Sequence, residues 1–150
     1  MKTEIDKDKM LEVFLRIRDA FPDLTMHFDV EPAQVDIYVA IPEQQGLAFP
    51  VDLNLQGDEL HLSAGEFWQE WFPCTQPEVV EQYVAAVSGL LSGEDRIVEH
   101  LRGTKVLKAE LQRPNAAEWE TIARWSRAHM PFFGPTSTRI KQNAQPAPAR

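Results

Sequence analysis

Two stretches of the chain carry apolar residues at the spacing of a single helix face. In residues 6–20 they recur at i, i+3, i+4 and i+7, and Pro22 follows as a helix breaker. In residues 77–91 a comparable stripe begins at Pro77 and ends before Gly93, residues that suit the first turn and the C-terminal cap of a helix. The pattern therefore predicts two amphipathic helices.

Between these stretches the hydrophobic period shortens to two residues. Apolar and polar residues alternate through 26–30, 35–41 and 51–64, which is typical of strands with one buried face. Short polar turns separate the alternating runs, and strands joined by short turns pair antiparallel. The region therefore predicts a meander of four antiparallel strands.

The segment LNLQGDELHL within this region also predicts its own register. Gly57 and Asp58 form a two-residue turn of the kind that matches the twist of a hairpin. Pattern and turn agree, because the register set by the turn puts all the apolar side chains on one face. The predicted cross-strand pairs are Leu55 with Leu60, Leu53 with Leu62, and Val51 with Ala64.

Further strands are predicted after the second helix. Residues 95–101 and 105–112 alternate about a turn at Gly103. Residues 115–127 fit two structures, since they start with the spacing of a helical capping box but alternate like a strand. We favour the strand, because the apolar row of 105–112 needs an apolar partner.

The decapeptide GEFWQEWFPC, residues 65–74, concentrates large aromatic side chains next to the only cysteine. A strand would turn two of the aromatic residues to each face. We predict a fifth strand that continues the preceding one through a bulge or kink at Gly65. Two directions stay open for Trp68, into the core or over the polar face of the meander. The four aromatic residues are Phe67, Trp68, Trp71 and Phe72.

Together these elements predict a single-domain α+β fold over residues 1–140. A largely antiparallel β-sheet, made of the meander and the C-terminal strands, is covered by the two amphipathic helices. Residues 141–150, KQNAQPAPAR, offer almost nothing to bury, and we expect a disordered C-terminal tail there.

Composition indicates an ordinary globular domain, with 150 residues of which 43% are hydrophobic and 25% charged. The single cysteine, Cys74, excludes an intrachain disulfide, and we expect it to be a buried structural residue rather than a reactive one. The charged N-terminus does not resemble a signal peptide, and no apolar run approaches the roughly 18 residues of a membrane span. We therefore expect a cytoplasmic protein without membrane association.

Charge is distributed unevenly along the chain. Residues 1–75 hold 5 Lys/Arg against 15 Asp/Glu, whereas residues 96–150 hold 10 against 4. The basic region is either a solvated face or a surface for a protein partner. The net charge of −8 disfavours nucleic acid, whose binding depends on positive charge against phosphate. The candidate partner surface consists of Arg96, Arg102, Lys105, Lys108 and Arg124.

The polar face of the meander collects histidines and carboxylates if the strands pair in sequence order. A four-residue loop after Val30 would place Asp29 opposite Asp36, a like-charge pair that needs a cation, a basic side chain or another register. Histidine with carboxylates can bind a divalent metal or act as acid and base near neutral pH, and the alternative is an ordinary solvated sheet face. The candidate residues are His27, Asp29, Asp36, Asp52 and His61.

The sequence carries none of the catalytic motifs that are recognised by spacing, such as CxxC, HExxH, GxSxG or a phosphate-binding loop. We therefore predict a small binding or interaction protein, such as an inhibitor, an adaptor or an immunity-type protein. Its expected partner is another protein or a second copy of the chain, and no cofactor is predicted.

Two alternative functions stay open. One is a metal-dependent or acid/base enzyme that uses the histidine–aspartate face. The other is a binder of a small apolar ligand in a pocket between sheet and helices. The candidate lining of that pocket is Trp68, Trp71, Trp119 and Trp125.

Overall fold

Two helices and nine strands make up the part of the chain that the computed structural model describes, residues 5–31, 34–127 and 135–143. All strand pairs are antiparallel, so the predicted α+β class with antiparallel strands is confirmed. The elements are α1 (Lys7–Ala20), β1 (His27–Asp29), β2 (Ile37–Ile41), β3 (Val51–Gln56), β4 (Glu59–Ala64), β5 (Phe67–Trp71), α2 (Pro77–Ser92), β6 (Arg96–Arg102), β7 (Lys105–Asn115), β8 (Glu118–Ser126) and β9 (Ser137–Lys141).

Both helices begin and end where their terminal residues favour it. The side chain of Asp6 caps α1 by accepting the backbone N–H of Lys9 at 3.1 Å. Pro77 occupies the first turn of α2, where its missing N–H has no intrahelical partner to lose. Gly93 ends α2 in the left-handed conformation, with φ of 84°, and its N–H donates to the carbonyl of Leu90. The two predicted helices are confirmed.

Strands β1 to β5 form the first sheet in chain order. In its central hairpin Leu55 pairs with Leu60 and Leu53 with Leu62, as the sequence pattern predicts. Gly57 adopts φ of 61°, which the tight turn requires and which glycine accepts without strain. The register therefore places the leucines of both strands in the core.

The predicted bulge at Gly65 is wrong, although the fifth strand itself is present. Gly65 adopts φ of 61° in a turn that reverses the chain, and β5 returns alongside β4. Ala64 pairs with Phe67, and Leu60 pairs with Trp71. A glycine with positive φ between two short strands favours a hairpin over a continued strand, because it supplies the backbone twist of the turn.

The second sheet has the strand order β8-β7-β6-β9. Residues 118–126 form a strand rather than a helix, and Ala123 pairs with Leu111 while Trp125 pairs with Ala109. The edge strand β9 lies in a polar segment that the hydrophobic pattern does not reveal. The antiparallel strands are thus divided between two sheets, and β5 of the first lies beside β8 of the second.

The chain stays anchored beyond β9, so the predicted tail does not begin at residue 141. The side-chain amide of Gln142 donates to the carbonyl of Gly93 at 2.8 Å. Asn143 is buried, donates to carbonyls at the end of α2, and accepts the N–H of Ala48 at 2.7 Å. Hydrogen bonds to carbonyls at the C-terminal end of α2, which have no N–H partner further along the helix, hold this segment in place. Residues 144–150 lie outside the described residues.

The helices cover one face of the first sheet, and Tyr83 of α2 lies where they meet it. Its ring packs edge-on against Phe14 of α1 at 6.1 Å and against Trp71 of β5 at 5.5 Å. Its hydroxyl donates a 2.7 Å hydrogen bond to the backbone carbonyl of His61 in β4. A buried tyrosine hydroxyl needs such a partner, and here the partner fixes α2 against β4.

A buried carboxyl group lies at the junction of α2 and the second sheet. Asp95 is 2% exposed and packs so closely on Gly89 that a Cβ at that glycine would clash with the carboxylate. The nearest cation is Arg113, whose Nε lies 3.9 Å from the Asp95 carboxylate. Burial disfavours the charged form and raises the pKa of Asp95 to about 6.

This pKa makes the stability of the fold depend on pH. Asp95 ionises near its ordinary pKa of 3.8 in the unfolded chain but only near 6 in the folded one, so folding loses stability as pH rises through this interval. The Asp95→Asn variant should lack this loss, a relative gain of about 2 kcal/mol from pH 4 to 7 at roughly 1.4 kcal/mol per pKa unit.

Urea unfolding of wild type, of Asp95→Asn and of the exposed control Asp23→Asn at a series of pH values measures the effect. The free energy of unfolding of Asp95→Asn should rise relative to that of the other two proteins as pH increases. Parallel pH profiles for all three would show that Asp95 does not titrate in this way.

Candidate functional site on the outer face of the first sheet

Side chains that point away from the helices form a surface that we term the outer face of the first sheet. Since alternate residues of a strand point to opposite sides, the register assigns each residue to one face. Two cross-strand rows make up most of this surface. The first row is His27, Ala40, Asp52, Ser63 and Trp68, and the second is Asp29, Tyr38, Asn54, His61 and Glu70.

Four of the five residues predicted for the polar face lie in these rows, but they do not converge on one point. His27 and Asp29 are on the edge strand β1, three strands away from His61 on β4. Asp52 accepts a hydrogen bond of 2.8 Å from the hydroxyl of Tyr38. The structure therefore separates His27 and Asp29 from the neighbourhood of His61.

The predicted pairing of Asp29 with Asp36 is wrong. Asp29 pairs with Tyr38, because the connection between β1 and β2 is longer than a four-residue loop. Asp36 lies just before β2 and accepts the backbone N–H of Gly57 at 2.7 Å. Its carboxylate thereby satisfies a turn donor, and no like-charge pair arises between the two aspartates.

His61 forms a compact group with two glutamates, which we term the His61 cluster: Glu59, His61 and Glu70. The imidazole Nε2 of His61 lies 3.3 Å from Oε1 of Glu59 and 3.7 Å from Oε2 of Glu70. Trp68 packs edge-on against the imidazole with 5.1 Å between ring centroids. His61 is only 7% exposed, whereas both glutamates stay partly open to solvent.

The two carboxyl groups of the His61 cluster titrate as a coupled pair. A hydrogen bond to Glu70, with a second to His61, lowers the pKa of Glu59. The same contact with Glu59 raises the pKa of Glu70. Carboxylates this close repel each other when both are ionised, so a cation between them would be stabilised.

Glu59 and Glu70 are functional candidates that the sequence pattern did not reveal. Glu59 precedes His61 by two residues and so shares its face. Glu70 joins it only because β5 folds back on β4, which places Glu70 directly opposite His61. The sequence signal for this neighbour is Gly65-Glu66, a glycine-led two-residue turn between two strand-like runs.

Trp68 points over the outer face and not into the core. It is 39% exposed, and Phe72, which directly follows β5, is 56% exposed. Phe67 and Trp71 point the other way, where Phe67 is fully buried and Trp71 packs on Tyr83. The decapeptide therefore divides its aromatic residues between the core and an exposed strip beside the His61 cluster.

The predicted basic surface lies on the second sheet, where several of its cations have partners within the chain. Arg96 donates to Gln112 at 3.0 Å, and its guanidinium lies 4.0 Å from the ring centroid of Trp119. Lys108 lies 3.7 Å from the carboxylate of Glu110. These contacts engage two of the five predicted basic side chains.

Glu110 is the centre of this arrangement. His100 lies 3.2 Å from its carboxylate, and the hydroxyl of Thr121 donates to it at 2.9 Å. The hydroxyl and the nearby cations, among them Arg124, outweigh desolvation and lower the pKa of Glu110. The backbones of Arg102 and Lys105 pair at the end of the β6–β7 hairpin, and two guanidinium nitrogens of Arg102 are buried without a hydrogen-bond partner among the described residues.

The four tryptophans proposed for an apolar pocket lie in separate places. Trp68 is on the outer face, Trp71 packs against α2, Trp119 stacks with Arg96, and Trp125 lies 5.5 Å from the guanidinium of Arg127. A groove of about 540 Å³ between α1 and the start of α2 is lined by none of them.

Cys74 borders this groove and is buried. Desolvation, with a smaller effect of the nearby Asp58 carboxylate, raises the pKa of the Cys74 thiol. The nucleophilic thiolate is therefore scarce near neutral pH.

Comparisons with models of known families, with curated proteins and with solved structures find no match to this chain. Within the described residues, neither helix is long and apolar enough to cross a membrane. The function is therefore inferred from the residues of the chain and their geometry.

Truncating a side chain on one side of β5 should reduce the free energy of unfolding more than truncating one on the other side. Phe67→Ala removes a fully buried ring and should destabilise by about 3–5 kcal/mol. Trp68→Ala removes a partly exposed ring and should cost less than half as much. Urea unfolding of both variants measures the difference, and equal losses would place Trp68 in the core instead.

Proposed function

We propose that this chain is a small binding protein that recognises a positively charged segment of another protein through the outer face of its first sheet. One observation carries the proposal. The partly exposed Trp68 lies on the same side of β5 as Glu70 of the His61 cluster, and the exposed Phe72 directly follows the strand. An inhibitor or immunity-type protein would use such a surface to cover a cationic region of its partner.

Charge supports a cationic partner. Strands β1 to β5 contain no lysine or arginine, and the sequence has none between Arg18 and Arg96. Asp29, Asp52 and Glu70 all lie in the rows of the outer face. A basic segment therefore meets attractive charges there and no repelling cation within the sheet, which favours both its approach and its orientation.

The exposed aromatic strip supports a protein partner. Tryptophan is enriched among the residues that contribute most to binding energy at protein interfaces. An indole face also attracts lysine and arginine side chains through its quadrupole. Trp68 is held in place by its packing on His61, so that little conformational freedom is lost when a partner covers it.

The second sheet is less suited to this role, because Glu110 and Gln112 already bind several of its basic side chains.

We place the proposed interaction in the cytoplasm, since the only cysteine is a free, buried thiol with no role in a disulfide. The proposal includes no catalytic step.

The double variant Trp68→Ser/Phe72→Ser should bind its partner at least about 10-fold more weakly, because the aromatic anchors of an interface commonly contribute more than 1.4 kcal/mol. The measurement is quantitative capture from a lysate of the source cells by tagged wild type, by the double variant and by Ile140→Ser. Ile140 is equally exposed but lies on the second sheet, which makes it a matched control.

The proposal expects a basic protein that wild type and Ile140→Ser retain and the double variant loses, with binding that weakens as salt is added. Equal capture by all three proteins would contradict it. A captured partner that is acidic would contradict the assigned charge of the interface.

A further inference from the structure

We infer that Glu59, His61 and Glu70 form a binding site for one divalent transition-metal ion, with Zn²⁺ as the representative case. The inference goes beyond the proposed interaction and does not depend on it, because the metal would bind to the free chain. All three possible ligand atoms lie within 4.8 Å of one another.

The distances within the His61 cluster fit a first coordination shell. Zinc binds imidazole nitrogen and carboxylate oxygen at about 2.0–2.2 Å, which separates two ligands of a tetrahedral site by about 3.3–3.5 Å. Nε2 of His61 lies 3.3 Å from Glu59 and 3.7 Å from Glu70. Small rotations of the two carboxyl groups are therefore enough to form the site.

The charge of the cluster also favours a cation. Glu59 and Glu70 each place a carboxylate oxygen within 4.8 Å of the other and of the His61 imidazole, and two ionised carboxylates at that separation repel each other. A divalent ion would relieve that repulsion, because it neutralises both carboxylates and also binds the imidazole nitrogen.

The surroundings hold the histidine in place and leave the glutamates accessible. Trp68 packs on the imidazole, and Tyr83 fixes the backbone of His61 from the opposite side of the sheet. Asn54, the cross-strand neighbour of His61, has a buried side-chain oxygen that lacks a hydrogen-bond partner among the described residues. The glutamates are about one-third exposed, which provides an entry path and an open position for water.

The donor set selects the class of metal. One imidazole nitrogen with two carboxylates suits Zn²⁺ and its transition-metal neighbours, whereas Ca²⁺ and Mg²⁺ prefer sites built from oxygen alone. The ligands come from two adjacent strands that pair directly, and a sheet holds such residues more rigidly than a loop does.

Isothermal titration of the full chain with ZnCl₂, after removal of bound metal by a chelator, tests the inference. Wild type should bind one equivalent at pH 7.5 and bind more weakly at pH 5.5, because protons compete for the same ligands. Glu59→Gln and Glu70→Gln preserve side-chain size at partly exposed positions, and each should weaken Zn²⁺ binding at least about 10-fold. His27→Gln and Asp29→Asn, on the same face but on β1, should bind like wild type.

No saturable Zn²⁺ binding by wild type would overturn the inference, and so would unchanged affinity in both glutamine variants. Circular dichroism verifies that each variant is folded. Addition of Co²⁺ provides a second readout, since a site with one nitrogen and two oxygen ligands should give visible absorption bands that both glutamine variants lose. Phe72→Ser separates the two proposals, because it should weaken capture of the partner and leave Zn²⁺ binding intact.

Discussion

The hydrogen bond from the Tyr83 hydroxyl to the carbonyl of His61 is the contact on which the rest of the structure depends. It connects the helix layer to β4 through a side chain that is fully buried. The ring of the same tyrosine packs on Phe14 and Trp71, so that one residue determines how α1, α2, β4 and β5 lie together. Contacts on the inner side hold β4 and β5 in place. Their outward-pointing side chains are therefore free to bind a ligand, because the hydrophobic core does not depend on them.

Charge is segregated between the two sheets. The first sheet has acidic strands and an exposed aromatic strip, whereas the basic residues of the second sheet are largely paired within it. One ion pair joins the two sheets, since Arg127 after β8 lies 3.4 Å from Glu66 in the β4–β5 turn. Within the second sheet, buried Glu99 of β6 binds Arg139 of β9 at 2.8 Å and lies 3.6 Å from Lys141. A cation at the His61 cluster would face two carboxylates whose ion-pair partner among the described residues is His61.

Local sequence signals predicted the elements of this fold well. The two helices follow from the spacing of apolar residues and from residues such as Pro77 and Gly93 at their ends. The β3–β4 register follows from the Gly57 turn, because a two-residue hairpin loop leaves little freedom in pairing. Residues 118–126 form a strand because the apolar row of β7 needs a partner, a tertiary demand that outweighs the helical capping signal.

The parts that depend on long-range geometry were not predictable from the same signals. The hydrophobic pattern of β5 is the same whether it continues β4 or folds back on it, and only the turn at Gly65 decides between them. Glu70 reaches His61 only in the folded-back arrangement, so the sequence pattern does not indicate the His61 cluster. The same pattern places His27 and Asp29 on one face with His61, although three strands separate them. The anchoring of Asn143 was missed as well, because it rests on hydrogen bonds and not on apolar side chains.

The central claim is that β5 folds back on β4 and places Trp68 over His61 on the outer face. The most direct test is the nuclear Overhauser effect in solution between the ring protons of His61 and those of Trp68. The structure predicts strong cross-peaks, because the ring centroids are 5.1 Å apart with the rings edge-on. Cross-peaks from the indole of Trp68 to core residues such as Phe14, and none to His61, would contradict it.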